Sequence, residues 1–255
     1  MQAGCNGCRS ETHRFDIAMA FQPIVDADTG RPFAFEALVR GGNGAGAAEV
    51  LAGVTPENRY AFDQQCRVAA IEGAVAAGIL DTGARLSINF LPNAVYSPLA
   101  CIQLTLQTAN ACGFPIDRLI FEFTENEEMS DTDHVKHIVE SYRQMGFATA
   151  IDDFGAGHAG LGLLAKFQTD IIKLDMDLIR GIDASTPRRL IVQGVVRIAE
   201  SMGITIIAEG IETPEEYATL RKIGVRYIQG YLLARPGFRN LPPIKMPPAQ
   251  TAAVA

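Results

Sequence analysis

There is no tryptophan in this chain of 255 residues, and histidine (4) and cysteine (5) are scarce. Sugar-cleaving sites usually stack a ring against an aromatic side chain, so the lack of tryptophan weighs against a barrel glycosidase using two of the glutamates as acid and nucleophile. No cluster of His and Cys marks a zinc centre. No apolar run reaches membrane-spanning length, and the polar opening, 1–16, is not signal-like, so a soluble, cytoplasmic protein with no membrane attachment is expected. Positive charge is not in surplus either. Asp and Glu number 29 against 22 Lys and Arg, a formal net charge of −7, which argues against a basic surface for long nucleic acid. A small phosphorylated ligand stays open, because bound cations could neutralise its charge.

Cys66, Cys101 and Cys112 fall in apolar-patterned segments and read as small core residues. Cys5 and Cys8 form a Cys-x-x-Cys. A zinc site there needs two more ligands, with His13 the nearby candidate, and a redox pair needs a preceding strand that is missing. A terminal segment without a specific role is the simpler reading.

What is present is enough apolar sequence, 48% of residues, to bury one full core. Strands are expected at 18–25 and 32–39, able to pair as a hairpin across a turn rich in Asp and Gly. A helix is expected from near Pro56 to about Gly78, with Phe62, Cys66, Ala69 and Ile71 facing inward. Strands follow at 85–91, 118–124, 148–154, 171–174, 204–208 and 226–232. Helices separate them at 99–112, 132–145, a short stretch to Phe167, 187–202 and 214–223. Residues 1–14 read as a tail, 15–236 as the domain, and 237–255, rich in Pro and Ala, as an irregular tail. Regular strand–helix alternation with near-continuous apolar strands predicts a parallel sheet covered by helices. About eight strands in roughly 230 residues fit a closed (β/α)8 TIM-like barrel, an α/β fold whose opening strand pair puts one strand antiparallel.

The stretch 150–158 is central. An apolar strand ends in Asp152-Asp153, followed by Phe154-Gly155-Ala156-Gly157-His158. Neighbouring side chains on a regular strand point to opposite faces, but at a strand end both can lean to one site, where two carboxylates repel and invite a divalent cation. A solvated Asp-Asp-x-Gly turn is the plainer alternative. The other strands tip the balance. Glu36, Asn89, Glu122 with Glu125, Lys173 with Asp175, Glu209 with Glu212, and Gln229 recur at the carboxyl ends, where barrels build their sites. Oxygen donors of this kind suit Mg²⁺ or Mn²⁺, and enough carboxylates are present for two ions bridged by one Asp. Lys173 could orient a water or balance charge, or simply pair with a nearby carboxylate.

Phe35-Glu36-Ala37-Leu38-Val39-Arg40 resembles the signature of the EAL domain family of cyclic di-GMP phosphodiesterases. Phe21-Gln22-Pro23-Ile24, Ile88-Asn89-Phe90-Leu91-Pro92, Phe121-Glu122-Phe123-Thr124-Glu125, Asp152-Asp153-Phe154-Gly155, Lys173-Leu174-Asp175, Ala208-Glu209-Gly210-Ile211-Glu212 and Gln229-Gly230-Tyr231 match further family motifs in order. The resemblance implies a hydrolase that opens cyclic di-GMP to linear pGpG with two Mg²⁺ or Mn²⁺ ions. Glu36, Asn89, Glu122 and Asp152 would hold the first ion, and Asp152, Asp153 and Glu209 the second. Lys173 would position the attacking water, so that Lys173, Glu36 and Asp153 carry catalysis. Gln22, Arg40 and Gln229 would contact substrate, and Glu125 would steady the loop after Asp153, which in this family joins a homodimer interface. One departure stands out: where the family continues Thr-Gly-Tyr-Ser-Ser, this chain has Ala156-Gly157-His158-Ala159-Gly160. Lost hydroxyls and an added glycine are expected to alter affinity for the second ion or dimer coupling, and His158 could tune this near neutral pH or simply be an exposed loop residue. The competing function is a receptor that binds cyclic di-GMP without cleaving it.

Overall fold

A computed structural model of the chain describes residues 14–124, 132–157 and 160–248. Its strands are β1 (Ile17–Asp26), β2 (Arg31–Gly41), β3 (Arg85–Asn89), β4 (Leu119–Thr124), β5 (Ala148–Phe154), β6 (Ile171–Leu174), β7 (Thr205–Ala208), β8 (Tyr227–Ile228) and β9 (Gly237–Phe238). The main helices are α1 (Arg59–Ala76), α2 (Gln103–Cys112), α3 (Thr132–Gln144), α4 (Gly160–Lys166), α5 (Thr186–Met202) and α6 (Pro214–Ile223).

Strands β2 to β8 lie side by side in chain order and parallel, and β1 closes the ring by pairing antiparallel with both β2 and β8. This is the expected barrel with one reversed strand. The reversal follows from the turn at 27–30: strands joined that tightly can only run antiparallel, and Gly30 supplies the left-handed backbone (φ 69°) that closes the turn.

Two segments differ from expectation. The last barrel strand, expected over 226–232, stops at Ile228. From Gln229 the chain folds onto the connection after β7, where Ile211 N donates to Gln229 O (3.2 Å) and Leu232 N donates to Ile211 O (3.1 Å). The segment beyond 236, expected to be irregular, contributes β9, whose Gly237 and Phe238 pair with Phe21 and Ala20 of β1. An edge is open there because β1 faces only two residues of β8.

The main core lies between strands and helices, while Ile24, Ala34, Ile120, Ala148, Ala150, Ile171 and Ile207 fill the barrel interior. Side chains two apart on a strand share a face. The interior residues Ala34, Ile120, Ala150 and Ile171 therefore carry Glu36, Glu122, Asp152 and Lys173 in the next layer toward the strands' carboxyl ends. A dry apolar floor thus supports a polar layer.

Helix α1 buries Phe62 and Cys66 as expected, leaves Ala69 partly buried, and also buries Asp63 and Arg67. The two charges meet at 2.8 Å, and Arg67 Nη1 donates to the Tyr142 hydroxyl (3.0 Å), so each enters the core with a partner.

Candidate active site

Asp152 and Asp153 reach one site because β5 bulges. The β5–β6 register runs Ile151 opposite Ile172 and then Phe154 opposite Leu174, so the two aspartates stand against the single residue Lys173. Asp153 takes a left-handed backbone (φ 53°), rare for a residue with a side chain, and its N–H donates to Asp152 Oδ1 (3.0 Å). Strand alternation is thereby broken at the one place where two neighbouring acids must face the same way.

Opposite the bulge, Lys173 is fully buried, and its Nζ lies 2.6 Å from Glu209 Oε1, 2.8 Å from Glu122 Oε2, 3.0 Å from Asp152 Oδ1 and 3.4 Å from Glu36 Oε2. Burial opposes its charge, but these carboxylates hold it well above the ordinary lysine range. Burial pushes the Glu122 carboxyl up to about 8, with Glu36 and Asp152 adding to the rise against the pull of Lys173. Burial, then Asp152 and Asp175, raise Asp153 to about 6. Asp152 and Glu209 are raised too, chiefly by burial. Glu36 goes the other way: burial opposes its charge, but Lys173 and hydrogen bonds from Gln229 and Asn89 outweigh it.

The carboxylate oxygens fall into two sets, Glu36–Glu122–Asp152 and Asp152–Asp153–Glu209, each with its ligand atoms within 4.8 Å of one another and with Asp152 shared. Fully ionised, as ligands to cations would be, these five acids outnumber the one ammonium by four charges, the amount two divalent cations would bring. The donor set therefore fits two hard cations. Asn89 Nδ2 donates to Glu36 Oε1 (3.2 Å), which leaves its carbonyl oxygen for a cation.

Of Gln22 and Gln229, both expected at the substrate, Gln229 bonds Glu36 directly and Gln22 is bonded to Gln229. Gln229 Nε2 donates to Glu36 Oε2 (2.7 Å) and to Gln22 Oε1 (3.2 Å), and Gln22 Nε2 donates to Ala234 O (3.1 Å). Gln229 Oε1 is buried without a partner, an acceptor left over for a ligand. Glu36 sits in the middle of β2 rather than at its end, because β2 continues beyond its β3 pairing to Gly41 along β1. That extension carries Leu38 and Arg40 up the wall of the mouth.

Two cavities meet at Leu38, and of the two only the one that holds Asp153 is lined by the acids. One, of about 260 Å³, is lined by Gln22, Asp153, Glu209, Gln229 and Tyr231; the other, of about 300 Å³, is mostly apolar and includes Arg40, Phe62, Asn89 and Phe90. Asp175 does not face the cavity; it caps the helical turn Met176–Ile179 by accepting from Asp177 N (2.8 Å). Glu212, on the rim, is ion-paired with Arg180 (2.6 Å). Cys5, Cys8, His13, Glu125, His158 and Ala159 lie outside the described residues.

Sequence reasoning missed Ser87, whose hydroxyl donates to Glu122 Oε1, and Asp63, which accepts from Leu91 N (2.9 Å) and fixes the chain just beyond Asn89. For Ser87 the only available signal was its place two residues before Asn89 on the same strand face.

The EAL domain profile matches residues 8–236. A standalone versatile EAL protein from Vibrio cholerae O395, in its c-di-GMP-bound form, is 49% identical with a TM-score of 0.88, covering 92% of this chain and 98% of that one. Klebsiella pneumoniae BlrP1, in a manganese/cyclic di-GMP complex, is 38% identical with a TM-score of 0.81, covering 88% of this chain and 57% of that one. The blue light- and temperature-regulated antirepressor BluF of Escherichia coli K12 is 34% identical over 228 residues, 89% of this chain and 56% of BluF. The chain thus spans about half the length of such curated relatives. With a profile match over nearly its whole length on a barrel of the same form, this chain belongs to the EAL domain family.

Proposed function

We propose that this chain is a cytoplasmic phosphodiesterase that hydrolyses cyclic di-GMP to linear pGpG with two divalent cations, Mg²⁺ or Mn²⁺. The observation that carries the reading is the pair of carboxylate sets sharing Asp152 above an apolar barrel floor. Glu36, Asn89, Glu122 and Asp152 would hold one ion, and Asp152, Asp153 and Glu209 the other. When bound, the ions would polarise a water and offset charge on the attacking and leaving oxygens of the phosphodiester.

The substrate's two phosphates are anionic, and the bare cluster repels them. Arg40, on the extended end of β2, would take a phosphate through its guanidinium fork. The two cavities either side of Leu38 suit a ligand with a base at each end. Gln229, itself bonded to Gln22, would hold Glu36 in place and present its free oxygen to the ligand. Lys173 would favour the ionised acids against the effect of burial and fix the attacking water between them. Glu125 would steady the loop after Asp153, in a homodimer, as the family resemblance implies. Among the described residues no helix is long and apolar enough to cross a membrane.

The second reading, a cyclic di-GMP receptor without turnover, draws on the altered loop after Gly155 and on a relative described as an antirepressor. Incubating the protein with cyclic di-GMP and Mn²⁺, with and without EDTA, separates the cases. EDTA-sensitive release of pGpG supports the enzyme. Binding without product refutes it, and hydrolysis that survives EDTA refutes the role of the cations.

A further inference from the structure

Asp153 and Glu209 leave different strands, yet present oxygens to one point with Asp152. A glycine in left-handed backbone lies just beyond each, Gly155 (φ 97°) two residues after Asp153 and Gly210 (φ 67°) directly after Glu209. The helical turn Met176–Ile179 follows Lys173 by three residues and seats on both glycines. A Cβ on Gly155 would overlap the Leu178 side chain, and one on Gly210 would overlap Met176 and lie 3.1 Å from its Cα. Backbone bonds fasten the root of the turn to the same two strands: Asp175 N donates to Phe154 O (3.2 Å) and Glu209 N donates to Leu174 O (3.1 Å). Its far end is tied by Arg180 to Glu212 (2.6 Å) and by Gly181 N to Glu216 Oε1 (2.8 Å).

We propose that this turn is a wedge that sets the spacing of Asp153 and Glu209, making Met176 and Leu178 positioning residues for the second cation. The inference rests on the two-cation reading. The set Glu36–Glu122–Asp152 stands on strand residues alone and does not depend on the wedge. The turn therefore acts on one ion and not the other.

The test is Mn²⁺ binding by the full chain, followed by the electron paramagnetic resonance of free Mn²⁺, alongside melting temperatures in EDTA. Wild type is expected to take up two ions. In Leu178→Ala one of them should weaken about tenfold, the other holding its affinity, with Leu178→Met restoring most of the loss. Met176→Gly, which removes the Cβ set against Gly210 from a half-exposed side chain, should weaken the same ion. Leu220→Ala, a fully buried position on α6, should lower the melting temperature at least as much as Leu178→Ala without moving either ion. If neither or both ions weaken in the wedge variants, or if Leu220→Ala has the same effect, the wedge is wrong. Uptake of fewer than two ions by wild type overturns the two-cation reading, and the wedge with it.

Discussion

Lys173 Nζ stands 2.8 Å from Glu122 Oε2 with each side chain only 1% exposed. A buried ammonium among four carboxylates is what allows those acids to share one pocket before any cation arrives. Removing one partner of a buried pair costs about 3–5 kcal/mol. Lys173→Met is therefore expected to melt several degrees lower than wild type in EDTA, to recover part of the loss in Mn²⁺, and to lose about a hundredfold or more in turnover. Calorimetry with and without Mn²⁺ checks this, and an unchanged melting temperature in EDTA contradicts it.

Asp153 belongs to only one of the two carboxylate sets. Asp153→Asn keeps the shape and removes the charge, so it should raise the Mn²⁺ concentration for half-maximal turnover by about 10–100-fold. The first ion should still bind. A titration in which both ions vanish together would show that the sets are not separable.

Arg40 lies on the β2 extension beside the apolar cavity, its Nη1 on Val39 O (2.7 Å). A charged hydrogen bond to a phosphate is worth about 1.5–3 kcal/mol, so Arg40→Ala should raise KM for cyclic di-GMP by about 10–100-fold. Mn²⁺ affinity should not move. Steady-state kinetics at saturating Mn²⁺ decide the matter, and an unaltered KM removes Arg40 from the substrate site.

The acids also set a pH dependence. Asp153 is raised to about 6 and Glu122 to about 8, so in the ion-free protein both bind protons more tightly folded than unfolded. Their contribution to stability is greatest below the ordinary carboxylate value and declines as pH rises through 6 and 8. Melts in EDTA should therefore fall between pH 5 and 9, with Mn²⁺ flattening the decline. Mn²⁺ binding should release protons and tighten with pH over that window. A flat EDTA profile contradicts the account.

Much of this was legible in the sequence because the barrel's alternation writes one residue of each strand end into the mouth. β5 and β6 fall at their expected bounds, and Glu36, Glu122, Asp152, Asp153 and Glu209 converge as expected. What was not legible depends on partners remote in sequence. The bulge that aims Asp152 and Asp153 together exists only against β6. The burial of Asp63 and Arg67 depends on their pairing and on Tyr142, which is 75 residues from Arg67. Gln229 reads as a strand residue until the chain after Ile228 turns back onto Ile211.

The most direct test of the central claim is diffraction at the manganese absorption edge from crystals soaked in Mn²⁺ at pH 8. Two anomalous peaks are predicted, one among Glu36, Asn89, Glu122 and Asp152 and one among Asp152, Asp153 and Glu209, with Asp152 touching both. A single peak, or none, would contradict the account.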